Sequence, residues 1–429
     1  MRARRFEWDG SAPDRLARAI RDLQPELSAV SDPVRVIIDA VREGGDDAIA
    51  ELERRFGAGF GWREAFRQDP ERIASAASRL DPELVAALET AAANIRLVAE
   101  AQLGGDREVS LDQGQTVKLR DVPVGSAGIY APGGVAAYPS TVLMGCIPAH
   151  AAGVGRTVLV TPPGPEEPFV PDVILAAARI AGADEVYATG GAQAIAALAI
   201  GTETIAPVDV VAGPGNRYVQ EAKRQLAGQV GIDGIAGPSE LMAVAGDTAH
   251  PEWIALDLCA QAEHGPDGLL VAAAVETSIL EAIQAAVERL ASEREIAGDA
   301  PLALVAVPDT SAAIALANAL APEHLEILTE DAETLSGGVT TAGCVFVGER
   351  SATAFGDYAA GSNHVLPTGG AGRFQGPLSP SVFRRLISTV EITQDAARSL
   401  APAVATLARA EGFPLHADSV EARLEGNGG

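Results

Sequence analysis

The chain has 429 residues, 47% of them hydrophobic and 21% charged, so it is a globular protein too long for one compact core, and two or more domains are expected. Its formal net charge of −26 excludes general binding to nucleic acid or to anionic membrane surfaces. That charge suits a cationic substrate and still permits an anionic cofactor, because backbone amides bind phosphate locally.

The N-terminus, Met1-Arg-Ala-Arg-Arg-Phe-Glu-Trp8, lacks the apolar centre of a secretory signal, and every apolar run ends before the ~18 residues of a membrane span. Residues up to Gln102 read as helical, with runs from Val34 and from Asp47 separated by Gly44-Gly45 and a further run over Pro82–Gln102. From Val122 short β-branched runs alternate with Ala-rich helical runs. Val158–Thr161, Glu185–Thr189 and Val208–Val211 read as buried strands, between helices near Thr141–Ala152, Asp172–Ala181, Ala192–Ile200 and Arg217–Ala227. A second series follows, with strands at Glu240–Ala245, Gly268–Ala274, Ala303–Val307 and Cys344–Val347. The expected fold is α/β: two Rossmann-like, doubly wound modules behind a helical N-terminal region. From Phe383 to Ala410 the chain reads as helical, a C-terminal arm long enough to lie across another subunit.

The chain has six histidines, and four lie in polar settings with carboxylates close by in sequence: Ala260-Gln-Ala-Glu-His264, Ala321-Pro-Glu-His-Leu-Glu326, Gly356-Asp-Tyr-Ala-Ala-Gly-Ser-Asn-His364 and Glu411-Gly-Phe-Pro-Leu-His416. Imidazole titrates near neutrality and is the commonest metal ligand, so these segments are candidate catalytic or metal sites. Gln261 and His264 are three apart near the end of a helix opened by Pro251, a spacing that lets both reach one ion, although a histidine there can equally interact with the helix dipole. Glu323 and His324 are adjacent, which suits an acid–base pair on neighbouring atoms of a substrate or, more simply, a solvated turn. The Gly356–Thr368 loop, with Asp357, Asn363 and His364, has the composition of a site loop. His250, before Pro251, reads as a lead-in to a helix. Cys146, Cys259 and Cys344 fit no paired spacing and read as reduced structural thiols of a cytoplasmic protein, with Cys259 the one position that suggests a nucleophile. Glycine loops at Tyr130-Ala-Pro-Gly-Gly134, Gly190-Gly-Ala-Gln193, Gly213-Pro-Gly-Asn216 and Ala236-Gly-Pro-Ser-Glu240 follow predicted strands, where α/β sheets bind ligands, but the G-x-G-x-x-G fingerprint is absent.

Together these stretches resemble the histidinol dehydrogenase family. The resemblance rests on Ile129-Tyr-Ala-Pro-Gly-Gly, Tyr138-Pro-Ser-Thr-Val-Leu-Met, Gly190-Gly-Ala-Gln-Ala-Ile-Ala, Gly213-Pro-Gly-Asn-Arg-Tyr-Val, Gly231-Ile-Asp-Gly-Ile-Ala-Gly-Pro-Ser-Glu and the four histidine segments, in order over roughly residues 30 to 425. It implies zinc- and NAD-dependent oxidation of L-histidinol to L-histidine through a retained aldehyde, in a cytoplasmic homodimer whose active site is shared between subunits. By the same resemblance Gln261, His264 and Asp357 would ligate zinc, with His416 supplied by the partner, and Glu323 and His324 would be the acid–base pair. Ser239, His364 and Glu411, with Gln261, His264, His324, Asp357 and His416, would line the substrate, and Tyr130, Gln193 and Asn216 would contact NAD.

The implied domains are 1–21, a discontinuous α/β domain of 22–129 with 241–378, an NAD-contacting domain of 130–240, and an arm from 379. Departures from the family pattern, at Gly265, at Phe413 and over Gly57–Arg67, touch none of these residues. Three rivals follow from the same residues: a paralogous dehydrogenase of another small polyol such as a sulfopropanediol, a zinc hydrolase in which Glu323 activates water, and an inactive scaffold. Glu411 and His416 favour histidinol over an anionic polyol. The glycine loops argue against the hydrolase, and the intact acid–base pair and ligand candidates argue against the scaffold.

Overall fold

The structure is a computed structural model that describes residues 2–25, 29–57, 66–133, 136–164, 169–294 and 300–425. Gly134 of the first glycine loop and residues 58–65 of the atypical stretch lie outside the described residues.

Two parallel sheets form the body. One has five strands in the order Glu185–Ala188, Arg156–Thr161, Ser126–Tyr130, Val210–Ala212 and Gly231–Ile232. The other has six, in the order Arg2–Glu7, Pro301–Ala306, Leu269–Ala274, Glu240–Ala245, His324–Leu328 and Cys344–Val347. Every neighbouring pair in both is parallel. Leaving aside the N-terminal strand, each sheet runs third-second-first-fourth-fifth in chain order, the doubly wound arrangement expected from the alternation of strands and helices. The central strands read as continuous apolar runs because helices cover both faces, and Leu269–Ala274 is buried at every position.

Three elements differ from the sequence expectation. Arg2–Glu7, read as part of a helical region, is an edge strand in register with Pro301–Ala306. Its charged, mostly exposed side chains carry no burial pattern from which a strand could be read. Arg384–Glu391, read as helical, instead pairs antiparallel with Thr116–Pro123, which also pairs with Arg107–Ser110 in a third sheet. Leu386 and Val390 are spaced like one face of a helix, yet both are largely exposed, so no intrachain core imposes a period. His324–Leu328, a segment where no strand was expected and a solvated turn was one reading of its first residue, is a fully buried strand between Glu240–Ala245 and Cys344–Val347.

The N-terminal helices also pack elsewhere than expected. Ser31–Phe56 kinks at Gly45 (φ 51, ψ −132), close to the break read from Gly44-Gly45. It buries Val34, Ile37, Ile38 and Val41 with Tyr187, Ile195 and Leu198 of the five-stranded module. Pro82–Ala101 packs Leu88, Ala92 and Ile95 against Val142, Ile147 and Ile174 of the same module. Thus residues 31–101 cover the five-stranded sheet, and it is the strand Arg2–Glu7 and the helix Pro13–Arg21 that join the six-stranded one, Ile20 packing with Leu316 and Leu320. At the C-terminus, helices Gln394–Ala410 and Pro414–Glu425 make a small core of their own from Ala405, Ala408 and Ala417. Among the described residues no helix is long and apolar enough to cross a membrane.

The carboxyl ends of the five-stranded sheet are crowded against backbone. Gly213 (φ +122) follows Val210–Ala212, and a Cβ there would fall 2.1 Å from the Tyr130 carbonyl oxygen. Gly213→Ala is therefore expected to lower stability by roughly 2–4 kcal/mol, through a clash that no side-chain movement relieves and through a left-handed φ. Thermal or urea unfolding of the variant checks this.

Candidate active site

The strand Glu240–Ala245 places Glu240 beside the Glu323–His324 pair. Helix Thr310–Leu320 ends in Ala321, whose left-handed φ of 49° turns the chain abruptly into Pro322-Glu323 and the strand that His324 begins. Backbone bonds from Gly343 N–H to Pro322 O (3.0 Å) and from Cys344 N–H to Glu323 O (2.9 Å) continue the sheet past its formal start. Glu323 and His324 are thus held on buried sheet backbone and not on a solvated turn, only 5% and 3% exposed.

Glu240 orients both side chains. Its backbone N–H donates to Glu323 Oε2 (2.8 Å), and its carbonyl lies 3.0 Å from His324 Nδ1. A carbonyl only accepts, so Nδ1 carries the proton, and the Nε2 lone pair of the neutral ring is the available base. Nε2 lies 3.3 Å from Asp357 Oδ1, out of line for a hydrogen bond, and is buried without another partner. Burial opposes charge on His324, but Glu323, with Oε2 3.5 Å from Nδ1, and Asp357 outweigh it and hold the imidazole well above its ordinary value. Asp357 responds in the opposite direction: burial would raise its carboxyl, but the adjacent His324 imidazole brings it below the usual range.

His364 accompanies this group. Its Nδ1–H donates to the Asp357 carbonyl (2.7 Å), Nε2 lies 3.2 Å from Thr141 Oγ1, and burial lowers its pKa, so it is a neutral hydrogen-bonding ring. Asn363 Nδ2 donates to the Met144 carbonyl (2.8 Å). Thr141 and Met144 belong to helix Pro139–Ala151, which follows the strand Ser126–Tyr130. The loop therefore ties the carboxyl side of one sheet to the amino side of the other, and the site lies at that seam.

Of the expected metal ligands, Gln261 is buried at the end of helix Pro251–Ala262 with its Nε2 unpartnered among the described residues, and His264 is exposed just beyond. His416 and Glu411 are exposed on the C-terminal arm. His416 packs on Phe413, and neither residue hydrogen-bonds to a site side chain. Among the described residues no cluster of three His, Cys, Asp or Glu could hold a metal within one chain. Ser239 is half-buried on the loop into Glu240, with its carbonyl held by Leu269 N–H (3.0 Å). His250 precedes the first turn of its helix, as expected.

The three residues expected at NAD lie at the carboxyl ends of three strands of the five-stranded sheet. Tyr130 Oη accepts from Gly191 N–H (3.2 Å), and burial pushes its phenol up to about 12. Gln193 is buried and bonded to Glu53 (2.9 Å), and Asn216 caps helix Arg217–Leu226 by accepting from Tyr218 N–H (2.9 Å). Beneath them Lys223, 1% exposed, is paired with Asp233 and donates to the Gly213 carbonyl (3.1 Å), which fixes that loop. All three cysteines are free. Cys146 is buried with its thiol pushed up to about 12, and burial also raises Cys259, so neither is a nucleophile.

Several supporting residues escaped the sequence reading. Arg21 Nη1 donates to Glu240 Oε1 (2.6 Å), and Glu240, 1% exposed, is nonetheless raised because burial outweighs that pairing. Glu326 shares the His324 face of its strand and is fully buried, with Oε1 accepting from Thr353 N–H (3.0 Å) and Oγ1–H (2.6 Å). Burial and the neighbouring Glu326 push Asp257 up to about 7. The one hint in the sequence was that Glu240 and Glu326 are acidic residues within otherwise apolar strands.

Two parallel sheets, a buried imidazole between two carboxylates and polar groups along three strand ends define an α/β enzyme of dehydrogenase type. Comparison with known proteins narrows this. A model of the family described as histidinol dehydrogenase matches residues 21–424. The chain is 44% identical over 419 residues to histidinol dehydrogenase of Ruegeria pomeroyi, covering 96% of this chain and 95% of that protein. It is also 44% identical over 426 residues to the Natronomonas pharaonis enzyme, covering 95% and 99%. The crystal structure of histidinol dehydrogenase from Elizabethkingia anophelis superposes with a TM-score of 0.90 at 31% identity, covering 99% of this chain and 98% of that one. The chain belongs to the histidinol dehydrogenase family, and so is an oxidoreductase of histidine biosynthesis.

Arg21→Ala leaves Glu240 buried without its guanidinium and is expected to cost about 3 kcal/mol. Turnover should fall with it, since Glu240 orients both Glu323 and His324. Unfolding and steady-state assays of the same preparation measure the two effects.

Proposed function

We propose that the enzyme takes L-histidinol through two successive oxidations to L-histidine, by way of a retained L-histidinaldehyde, using NAD and one zinc ion per subunit. The observation that carries this reading is His324, buried between Glu323 and Asp357 with Nδ1 anchored on a backbone carbonyl. A base built this way has one tautomer and one direction of action.

The residues fit zinc as an oxygen and nitrogen donor set. The buried Gln261 has an amide nitrogen that nothing holds, so its amide is free to turn its oxygen to an ion, and Asp357 is a half-buried carboxylate beside His324. Gln261, His264 and Asp357 would hold the ion from one subunit and His416 of the partner subunit would complete the set. When bound, zinc would supply a Lewis acid to hold the substrate, and NAD would supply the hydride acceptor. His324 Nε2 takes the alcohol proton once the charge of Asp357 is engaged elsewhere and the imidazole is neutral. Glu323, with one carboxylate oxygen on Glu240 N–H, keeps the other to direct water onto the aldehyde carbon, together with His324. Ser239, His364 and Glu411 contact the substrate, while Tyr130, Gln193 and Asn216 contact NAD. A closed pocket between subunits retains the reactive aldehyde.

The exposed side chains of the arm support a homodimer. Leu386, Val390, Ile392, Leu407, Phe413 and Leu415 are each more than half exposed on one C-terminal stretch, an apolar surface that a second copy would cover. The three free thiols support a reducing, cytoplasmic setting.

The decisive assay is NADH yield per L-histidinol, with zinc and after chelation. About two NADH per substrate is expected, as the reaction removes two hydrides, with activity lost on chelation and restored by zinc. One NADH, or turnover unaffected by chelation, would refute the reading. Mixing inactive His324→Ala protein with inactive His416→Ala protein is expected to restore activity to roughly a quarter of wild type, since randomly exchanged subunits form hybrids with one intact site. No recovery after verified exchange would exclude a shared site.

A further inference from the structure

Helix Ser31–Phe56 carries a buried carboxylate to which no role in the reaction has been assigned. Glu53 is 4% exposed, and its Oε1 receives three hydrogen bonds from the loop after the strand Glu185–Ala188: from Thr189 Oγ1–H (2.8 Å), Gly190 N–H (2.9 Å) and Gln193 Nε2–H (2.9 Å). A carboxylate only accepts, so Gln193 must turn its amide nitrogen toward Glu53 and its oxygen away. That oxygen lies beside Gly191 (φ +63), where a Cβ would sit 2.8 Å from it, and it receives no hydrogen bond among the described residues. Two of the neighbouring donors are engaged, Gly190 N–H by Glu53 and Gly191 N–H by Tyr130 Oη. Beside them the loop presents one oriented acceptor, Gln193 Oε1, with a carboxylate behind it.

We propose that Glu53 is the positioning residue of the cofactor site: it locks the Gln193 amide with its oxygen outward, so that Gln193 binds a hydrogen-bond donor of the dinucleotide, a ribose hydroxyl or the carboxamide. This rests on reading Gln193 as a cofactor contact. Glu53 acts through Gln193, since it touches that side chain, Thr189 and the loop backbone, and it bonds to none of the substrate-binding residues proposed above. Its effect should therefore fall on NAD and not on histidinol.

The test is a double-mutant cycle of Glu53→Ala and Gln193→Ala, read by direct titration of the purified zinc-loaded enzyme with NAD, by KM for each substrate and by melting temperature. Glu53→Ala is expected to weaken NAD binding roughly tenfold, the size of a hydrogen bond to a charged group, with KM for histidinol and kcat at saturating NAD within about twofold of wild type. The double variant should bind NAD no more weakly than Gln193→Ala alone, because Glu53 works through Gln193. Folded Glu53→Ala with wild-type NAD affinity, alongside a weakened Gln193→Ala, overturns the role of Glu53 and leaves the cofactor reading standing. Wild-type affinity in Gln193→Ala overturns both. Additive losses, or equal losses for NAD and histidinol, reduce Glu53 to a structural residue and also overturn the proposal. If Glu53→Ala does not fold, Glu53→Gln decides: its own amide N–H can face Gln193 and let that side chain turn round. It is expected to weaken NAD a few-fold with an unchanged melting temperature, and unchanged affinity overturns the proposal.

Discussion

The backbone N–H of Glu240 is bonded to Glu323, its carbonyl faces His324 Nδ1, and its carboxylate is held by Arg21 and by Gly369 N–H. One residue at the start of a central strand thus fixes the orientation of Glu323 and His324 and ties them to the N-terminal helix. The arrangement is costly in isolation, because a carboxylate at 1% exposure loses its hydration, and removing its guanidinium would leave that cost uncompensated. Its return is geometric. With Nδ1 anchored, the imidazole cannot exchange tautomers without breaking a buried hydrogen bond, and Nε2 is left as the single reactive nitrogen.

The same constraint accounts for the position of the site. In open parallel sheets, ligands bind beyond the carboxyl ends of the strands, where the five-stranded sheet carries Tyr130, the Gly190-Gly191 loop and Gly213. The six-stranded sheet does the reverse, since Glu240, Glu323 and His324 all lie at or just before its amino ends. The Gly356–Thr368 loop links the two through Asn363 and His364 to helix Pro139–Ala151. Two sheets of the same winding thus contribute opposite ends to one seam, one end offering loops and the other titratable side chains.

Burial sets the electrostatics of that seam. Glu323 and Asp357 raise His324 against a desolvation penalty, and Asp357 falls in return. Behind them Glu326 and Asp257 are both raised, so the interior near the imidazole holds carboxyls that resist ionisation and limit the negative charge gathered there. In a chain of net charge −26, local pairing and not the overall field decides which carboxylates are charged at the site.

Much of this was legible along the chain. The alternation of apolar strands and Ala-rich helices marked both doubly wound modules, because central parallel strands buried on two faces must be continuously apolar. Histidines next to carboxylates marked two of the segments that the structure brings together, those of Glu323-His324 and Asp357–His364, and motif order marked the family. The sequence could not show what depends on long-range packing. Edge strands such as Arg2–Glu7 and Arg384–Glu391 are exposed and so lack a burial period. The sheet covered by residues 31–101 was decided by the fit of Val34, Ile37 and Ile38 against Ile195 and Leu198. Arg21, Glu53 and Glu240 lie far apart in the chain, and each reads there as an ordinary charge. Only the tertiary structure brings Arg21 to Glu240 and Glu53 to Gln193, because a charge is driven to one partner only when burial has removed water as the alternative.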